Sequence, residues 1–268
     1  MSARALAEKH ICVTADAPED AVGRRQRGVA TRSRLWPAGR TICIHFLNGT
    51  VAQRQFVERI ASLWLPHINL SFLWNVARVD SDVRVRFRKG GSWSYLGTDN
   101  LSVDKASATM NFGWLPDNPG SAGDRGLVLH EFGHMLGFEH EHQSPRNKLT
   151  WITDAVVADL AAPPNEWSMK QIERNVLFRY SADDANVLST DSFDAQSVMT
   201  YSFPPEWNEE GVRLRVRNSL SSADKRFARQ LYPFADIPNG DQVRLRRFWS
   251  ISVANFCSKA LSVFKICC

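Results

Sequence analysis

The chain has 268 residues, 44% hydrophobic and 23% charged, an ordinary globular composition long enough for a substantial core, which excludes wholesale disorder. Its 33 Lys+Arg against 28 Asp+Glu leave a net charge of +5, which permits nucleic-acid binding without implying it, and no recognition motif points to a specific nucleic acid. Apolar stretches are broken by Arg, Asp, Ser or Asn short of the roughly 18 to 20 residues a membrane-spanning helix needs, so no transmembrane segment is expected.

Residues 1–33 hold few large apolar side chains and end in an arginine-rich run, and they read as an N-terminal tail or propeptide-like extension. No continuous apolar run of a secretory signal is readable there. The basic pair Arg24-Arg25 is a candidate cleavage point. Order is expected from residue 34, and Thr41-Ile42-Cys43-Ile44-His45-Phe46-Leu47 alternates like a half-buried strand. Thr50 and Gln53 form a capping box for an amphipathic helix carrying Phe56, Val57, Ile60, Leu63 and Trp64, closed by Pro66. Strands follow at residues 70–76 and 83–87. In the second, Val83, Val85 and Phe87 face a core and Arg84, Arg86 and Arg88 face water.

Residues 89–97 read as a loop, 108–115 as a short strand, and 125–136, 168–180 and 222–231 as helices. Strands crowd the first half and helices the second, which predicts an α+β fold with the active elements at the join. Five cysteines, four of them in the end segments (Cys12, Cys257, Cys267, Cys268), define no disulfide framework and no C-x-x-C pair, so any metal must be held by other residues. Residues 236–268 read as a C-terminal extension, with an amphipathic membrane-surface or partner helix as the alternative.

The chemistry sits in His130-Glu131-Phe132-Gly133-His134-Met135-Leu136-Gly137-Phe138-Glu139-His140, an H-E-x-x-H motif extended to H-E-x-x-H-x-x-G-x-x-H. Four residues is just over one helical turn, so His130 and His134 share a face and can place both imidazoles on one metal. Glu131, beside the first ligand, can contact a metal-bound water without occupying the coordination sphere, which is the general-base position. His140 could not share that face on a continuing helix. Gly137 can end the helix in the left-handed conformation and return His140 to the metal. Three imidazoles and one water make an open catalytic zinc site. Co-occurrence of the five specified positions by chance is expected in roughly one such chain in 100,000. His10, His45 and His67 lack partners at ligand spacing, and His142 misses the G-x-x-H register, so it belongs beside the site or on the surface.

These residues resemble a metzincin zinc endopeptidase, and Gly137-Phe138-Glu139-His140-Glu141 matches the G-F-x-H-E continuation of the astacin family. Ser197-Val198-Met199-Thr200-Tyr201 resembles that family's Met-turn, S-x-M-x-Y. Fainter likeness to bacterial and fungal astacin-like enzymes extends the match from about Leu35 to Pro233. The resemblance implies a metzincin-type zincin fold: a twisted mixed sheet plus helices in an N-terminal subdomain (34–137), a mostly irregular and helical C-terminal subdomain (138–235), and the active-site cleft between them. It further implies one catalytic Zn2+ on His130, His134 and His140, water activated by Glu131, Met199 as the floor beneath the metal, and Tyr201 as an extra ligand that swings away to stabilise the transition state. In the family a freed N-terminus reaches the residue matching Glu141. Substrates would be proteins or peptides, added to the strand at 108–115 through Thr109, Met110, Asn111 and Phe112. Side-chain preference is not readable from the sequence: Arg146 and Arg174 read as solvated surface arginines, with attraction of acidic side chains as the alternative. Secretion is what the family suggests. The alternative is a zinc-binding pseudoprotease serving as an interaction module.

Overall fold

The computed structural model describes residues 30–163 and 165–235. The cleavage point at Arg24-Arg25, the C-terminal extension and every cysteine except Cys43 lie outside the described residues. Of the expected tail, Ala30 and Thr31 are packed into the fold: both are buried, Ala30–Thr31 (β1) pairs antiparallel with Val187–Leu188 (β7), and Ala30 also bridges Phe138.

Five strands make the main sheet: Thr41–Phe46 (β2), Ser71–Trp74 (β3), Val83–Arg86 (β4), Trp93–Ser94 (β5) and Met110–Asn111 (β6), in the order β3-β2-β4-β6-β5. All neighbours are parallel except β5 on β6, which is antiparallel, so the sheet is mixed. The period-two pattern of β2 is realised, with Ile42, Ile44 and Phe46 buried. In β4 the expected wet face is only partly wet. Arg84 is fully buried, because the chain at 100–107 folds over it and its guanidinium donates to the carbonyls of Ser81, Asp82, Asn100, Val103 and Ser107.

Val51–Ala61 (α1) opens on the capping box of Thr50 and Gln53 and passes into a 3-10 turn, Ser62–His67, that contains Pro66. Ala122–Met135 (α2) is capped by Ser121 and Asp124 and lacks a polar stripe; from Val128 onward every residue is buried. Phe132 explains the position of α2. Its ring packs against Phe72 and Trp74 of β3 and against Phe112, at centroid distances of 5.8, 5.9 and 6.5 Å, which anchors the helix to the sheet.

Thr153–Leu160 (α3) had no forecast. The helix expected over 168–180 is a short Met169–Ile172 (α4) continued by a π-helical turn, Glu173–Leu177, while Ser222–Leu231 (α5) matches its forecast. One core joins the sheet, α1, α2 and α5 and takes in Val198 and Met199. A second gathers Leu149, Val156, Leu160, Ile172, Val176, Tyr201, Phe203, Trp207 and Leu214. The C-terminal half of α2 and the chain at 197–201 therefore lie at the join of the two cores.

Candidate active site

His130 and His134 stand one turn apart on α2, with ring centroids 4.7 Å apart and planes nearly perpendicular. Gly137, at φ +91°, ends the helix, and the chain doubles back so that His140 reaches the same point. The Nε2 atom of His134 is 3.1 Å from that of His130 and 3.1 Å from that of His140. Among the described residues, this trio is the one group of metal-ligating side chains that converges.

The other ring nitrogens decide the tautomers. His130 Nδ1 lies 2.8 Å from the Val198 carbonyl and His134 Nδ1 2.8 Å from the Phe138 carbonyl, contacts that are favourable only when Nδ1 carries the proton. Both Nε2 atoms then present lone pairs to each other, a repulsive arrangement that a cation at their centre reverses. Tetrahedral zinc bonds of about 2.0–2.1 Å would space the nitrogens about 3.3 Å apart, so the donor set fits that ion. Burial pushes His130 down to about 4 and holds His134 and His140 well below the usual imidazole range, with mutual repulsion adding to it. All three are neutral at pH 7, the form that ligates.

Glu131 follows His130 on α2 and is fully buried. Met199 lies beneath the helix: a Cβ on Gly133 would be 2.3 Å from its Sδ, so the approach requires glycine. The Tyr201 ring, 1% exposed, stands 4.0 Å from the His140 ring and 6.0 Å from that of His130. His142 is not on the surface. It is fully buried with its ring 4.9 Å from Tyr201, held near 3 by burial and bonded through Nε2 to the Asn175 carbonyl, and it stays outside the trio. His45 and His67 are remote, bonded to Val76 and Arg229, and His10 lies outside the described residues.

Two carboxylates that sequence reasoning passed over hold the turn at 197–199. Asp224 accepts from Ser197 Oγ at 2.7 Å and Val198 N–H at 3.0 Å while also capping α5, so one side chain fixes both the helix start and Val198, the residue whose carbonyl orients His130. Asp194 accepts from Ser221 Oγ at 2.6 Å, and its own N–H donates to Glu141. Burial raises Glu141 to about 8, and its backbone N–H donates to the Met199 carbonyl at 3.0 Å. The S-x-x-D spacing of Ser221 and Asp224 signalled the cap, but nothing local signalled the second bond.

One expectation about substrate contacts is corrected. Thr109, Met110, Asn111 and Phe112 are buried, and β6 is interior to the sheet; the open edge on this side is β5, which the sequence presented only as part of a loop. Neither Arg146 nor Arg174 lines the cavity beside the histidines. That cavity, about 170 Å³, is bounded by Trp114, Gly126, His130, Tyr201, Val216 and Arg217. Gly126 lets the wall come close, since a Cβ there would be 2.4 Å from the Arg217 carbonyl.

No family model matches the sequence. Among solved structures, one of myroilysin superposes with a TM-score of 0.73 at 35% identity, covering 77% of this chain and 99% of myroilysin. The chain belongs to the astacin family. A second myroilysin structure agrees at 32% identity and a TM-score of 0.59. High choriolytic enzyme 1, a hatching enzyme zinc-protease of the medaka fish, shares the fold at 15% identity, with a TM-score of 0.51 over 78% of this chain and 98% of its own. The α+β metzincin architecture is therefore shared across these relatives. In sequence this astacin-family chain is 26% identical to human Tolloid-like protein 1 over 220 residues, 78% of the chain, and 25% identical to Xenopus laevis bone morphogenetic protein 1 over 266 residues, 87% of the chain. It spans 20% and 35% of those two proteins' own lengths.

Proposed function

We propose that the chain is a zinc-dependent endopeptidase. The observation that carries this reading is the convergence of three buried, neutral imidazoles, with His134 Nε2 3.1 Å from the Nε2 of both His130 and His140, beside buried Glu131 and a side-chain-sized cavity. One Zn2+ would be held by His130, His134 and His140. When bound it supplies Lewis-acid charge and lowers the pKa of water toward about 7.

The rest is the work of the chain's own groups. Glu131 takes the proton of the attacking water and later gives it to the leaving amine. The Tyr201 hydroxyl donates to the oxyanion as it forms, and Met199 supports the imidazoles from below. Substrate backbone adds antiparallel to the open edge of β5, with one side chain entering the cavity at Arg217. Substrates are unstructured segments of proteins or peptides. Family membership supports secretion, and among the described residues no helix is long and apolar enough to cross a membrane.

The experiment is cleavage of an unstructured protein by the chain and by Glu131→Gln, each with and without chelator. Chelator-sensitive cleavage that falls at least 1,000-fold in the variant, about 4 kcal/mol of barrier, while zinc is retained, is the expected result. Equal rates would remove Glu131 from the role. Zinc without any cleavage would make the chain a pseudoprotease.

A further inference from the structure

The cavity beside His130 does not end at Arg217. Ala122 and Asn218 line it and also line an open groove of about 400 Å³ that continues along the first turn of α2, bounded by Phe56, Arg59, Ile60, Ser121, Arg125 and Ser219. From His130 back to Ala122 is eight residues of helix, about 12 Å at 1.5 Å per residue, a path that about four residues of extended peptide would cover.

The only charged side chains that line the groove, Arg59 and Arg125, are both cationic. Arg59 and Arg125 are exposed, and among the described residues neither forms an ion pair. Arg59 rests 5.1 Å over the Phe56 ring, which holds its guanidinium at the groove wall. Asp124 and Glu58, the sequence neighbours of these arginines, keep their charge but do not line the groove; Asp124 is turned to the Gly120 and Ser121 amides, from which it accepts at 2.9 and 2.8 Å, and Glu58 accepts from Asn75 at 3.1 Å.

We propose that this groove binds an acidic stretch of substrate roughly three to five residues to one side of the cleaved bond, with Arg59 and Arg125 as the specificity-determining residues. The inference rests on the peptidase reading for its direction and extends it from the reacting bond to a substrate class, chains bearing Asp or Glu clusters near the cut. Exposed charge pairs are modest, so the expected discrimination is about threefold to tenfold in kcat/KM, fading as salt rises from about 50 to 500 mM.

The test uses the full zinc-loaded chain and unstructured peptides cut at one mapped bond. Each carries Glu-Glu or Gln-Gln four and five residues to the amino or to the carboxyl side. The expected result is a threefold to tenfold acid-over-amide ratio for one side, falling to about one in Arg59→Gln/Arg125→Gln and persisting in Lys170→Gln, which removes an exposed cation of α4 outside the groove. The same pairs, dye-labelled, are titrated onto the Glu131→Gln chain by anisotropy, where the acidic peptide should bind tighter by a similar factor. A ratio of one on both sides, or a ratio the arginine changes do not move, overturns the groove. Absent cleavage with an arginine-dependent binding ratio would sink the peptidase reading and leave the groove standing.

Discussion

Gly133→Ala perturbs the packing between α2 and Met199. An alanine Cβ would lie 2.3 Å from Met199 Sδ and 3.0 Å from its Cε, and Trp64 closes the far side at 3.5 Å. Carbon and sulfur need nearly 4 Å, so the side chain must retreat by more than about 1 Å from a site where it is 1% exposed. Overpacking of this kind costs about 1–3 kcal/mol, against which alanine's better helix propensity returns at most about 1 kcal/mol. The net loss of about 1–2 kcal/mol corresponds to a Tm lower by roughly 2–8 °C for a domain of this size.

The displacement also travels. Met199 gives its carbonyl to Glu141, and its neighbour Val198 gives the carbonyl that orients His130, so zinc affinity should weaken at least about 10-fold. Thermal melts and competition with a metal indicator read the two effects. Met199→Ala alone leaves a cavity worth about 2–5 kcal/mol, but in the double variant the clash is gone and the losses should fall short of their sum by at least about 1 kcal/mol. Additivity within about 0.5 kcal/mol, or a single Gly133→Ala that melts above the parent, would refute the packing argument.

Asp224→Ala removes the cap of α5 and the bond to Val198 together. It should lower both Tm and zinc affinity, the latter about 10- to 100-fold, whereas Asp124→Ala, which uncaps α2 far from the histidines, should cost about 1 kcal/mol and leave affinity unchanged; equal zinc binding in both would dismiss the role of Asp224. The metal-free chain should be acid-labile. His130 at about 4 and His142 at about 3 are proton-poor when folded and bind protons near 6.5 when unfolded, so their contribution is full above about pH 6.5 and drains as pH falls toward 3–4. Glu141, raised to about 8, works in the opposite direction because the folded chain takes up its proton first, but it is one group against these two histidines, so melts of chelated protein should still show Tm falling between about pH 6.5 and 4, and a flat or rising profile would contradict the depressed values.

The trio and Glu131 were legible because their constraint is local: one helical turn between His130 and His134, and a glycine positioned to break the helix before His140. The capping residues Thr50 and Gln53 were legible for the same reason. What escaped depended on partners distant in sequence. Trp93-Ser94 and Ala30-Thr31 are strands of two residues, too short to show a period, and exist as strands only through pairing with β6 and β7. Arg84 alternated like a solvent-facing residue, and only the folded chain at 100–107 supplies the carbonyls that bury it. Arg217 reaches the cavity because Gly126, ninety-one positions earlier, lets the wall approach.

The most direct test is to count zinc in the purified chain by elemental analysis, alongside a variant with His130, His134 and His140 all changed to Ala. The account predicts one zinc per folded chain and none in the variant. Folded protein without zinc under zinc-replete conditions, or zinc retained after all three imidazoles are gone, would contradict it.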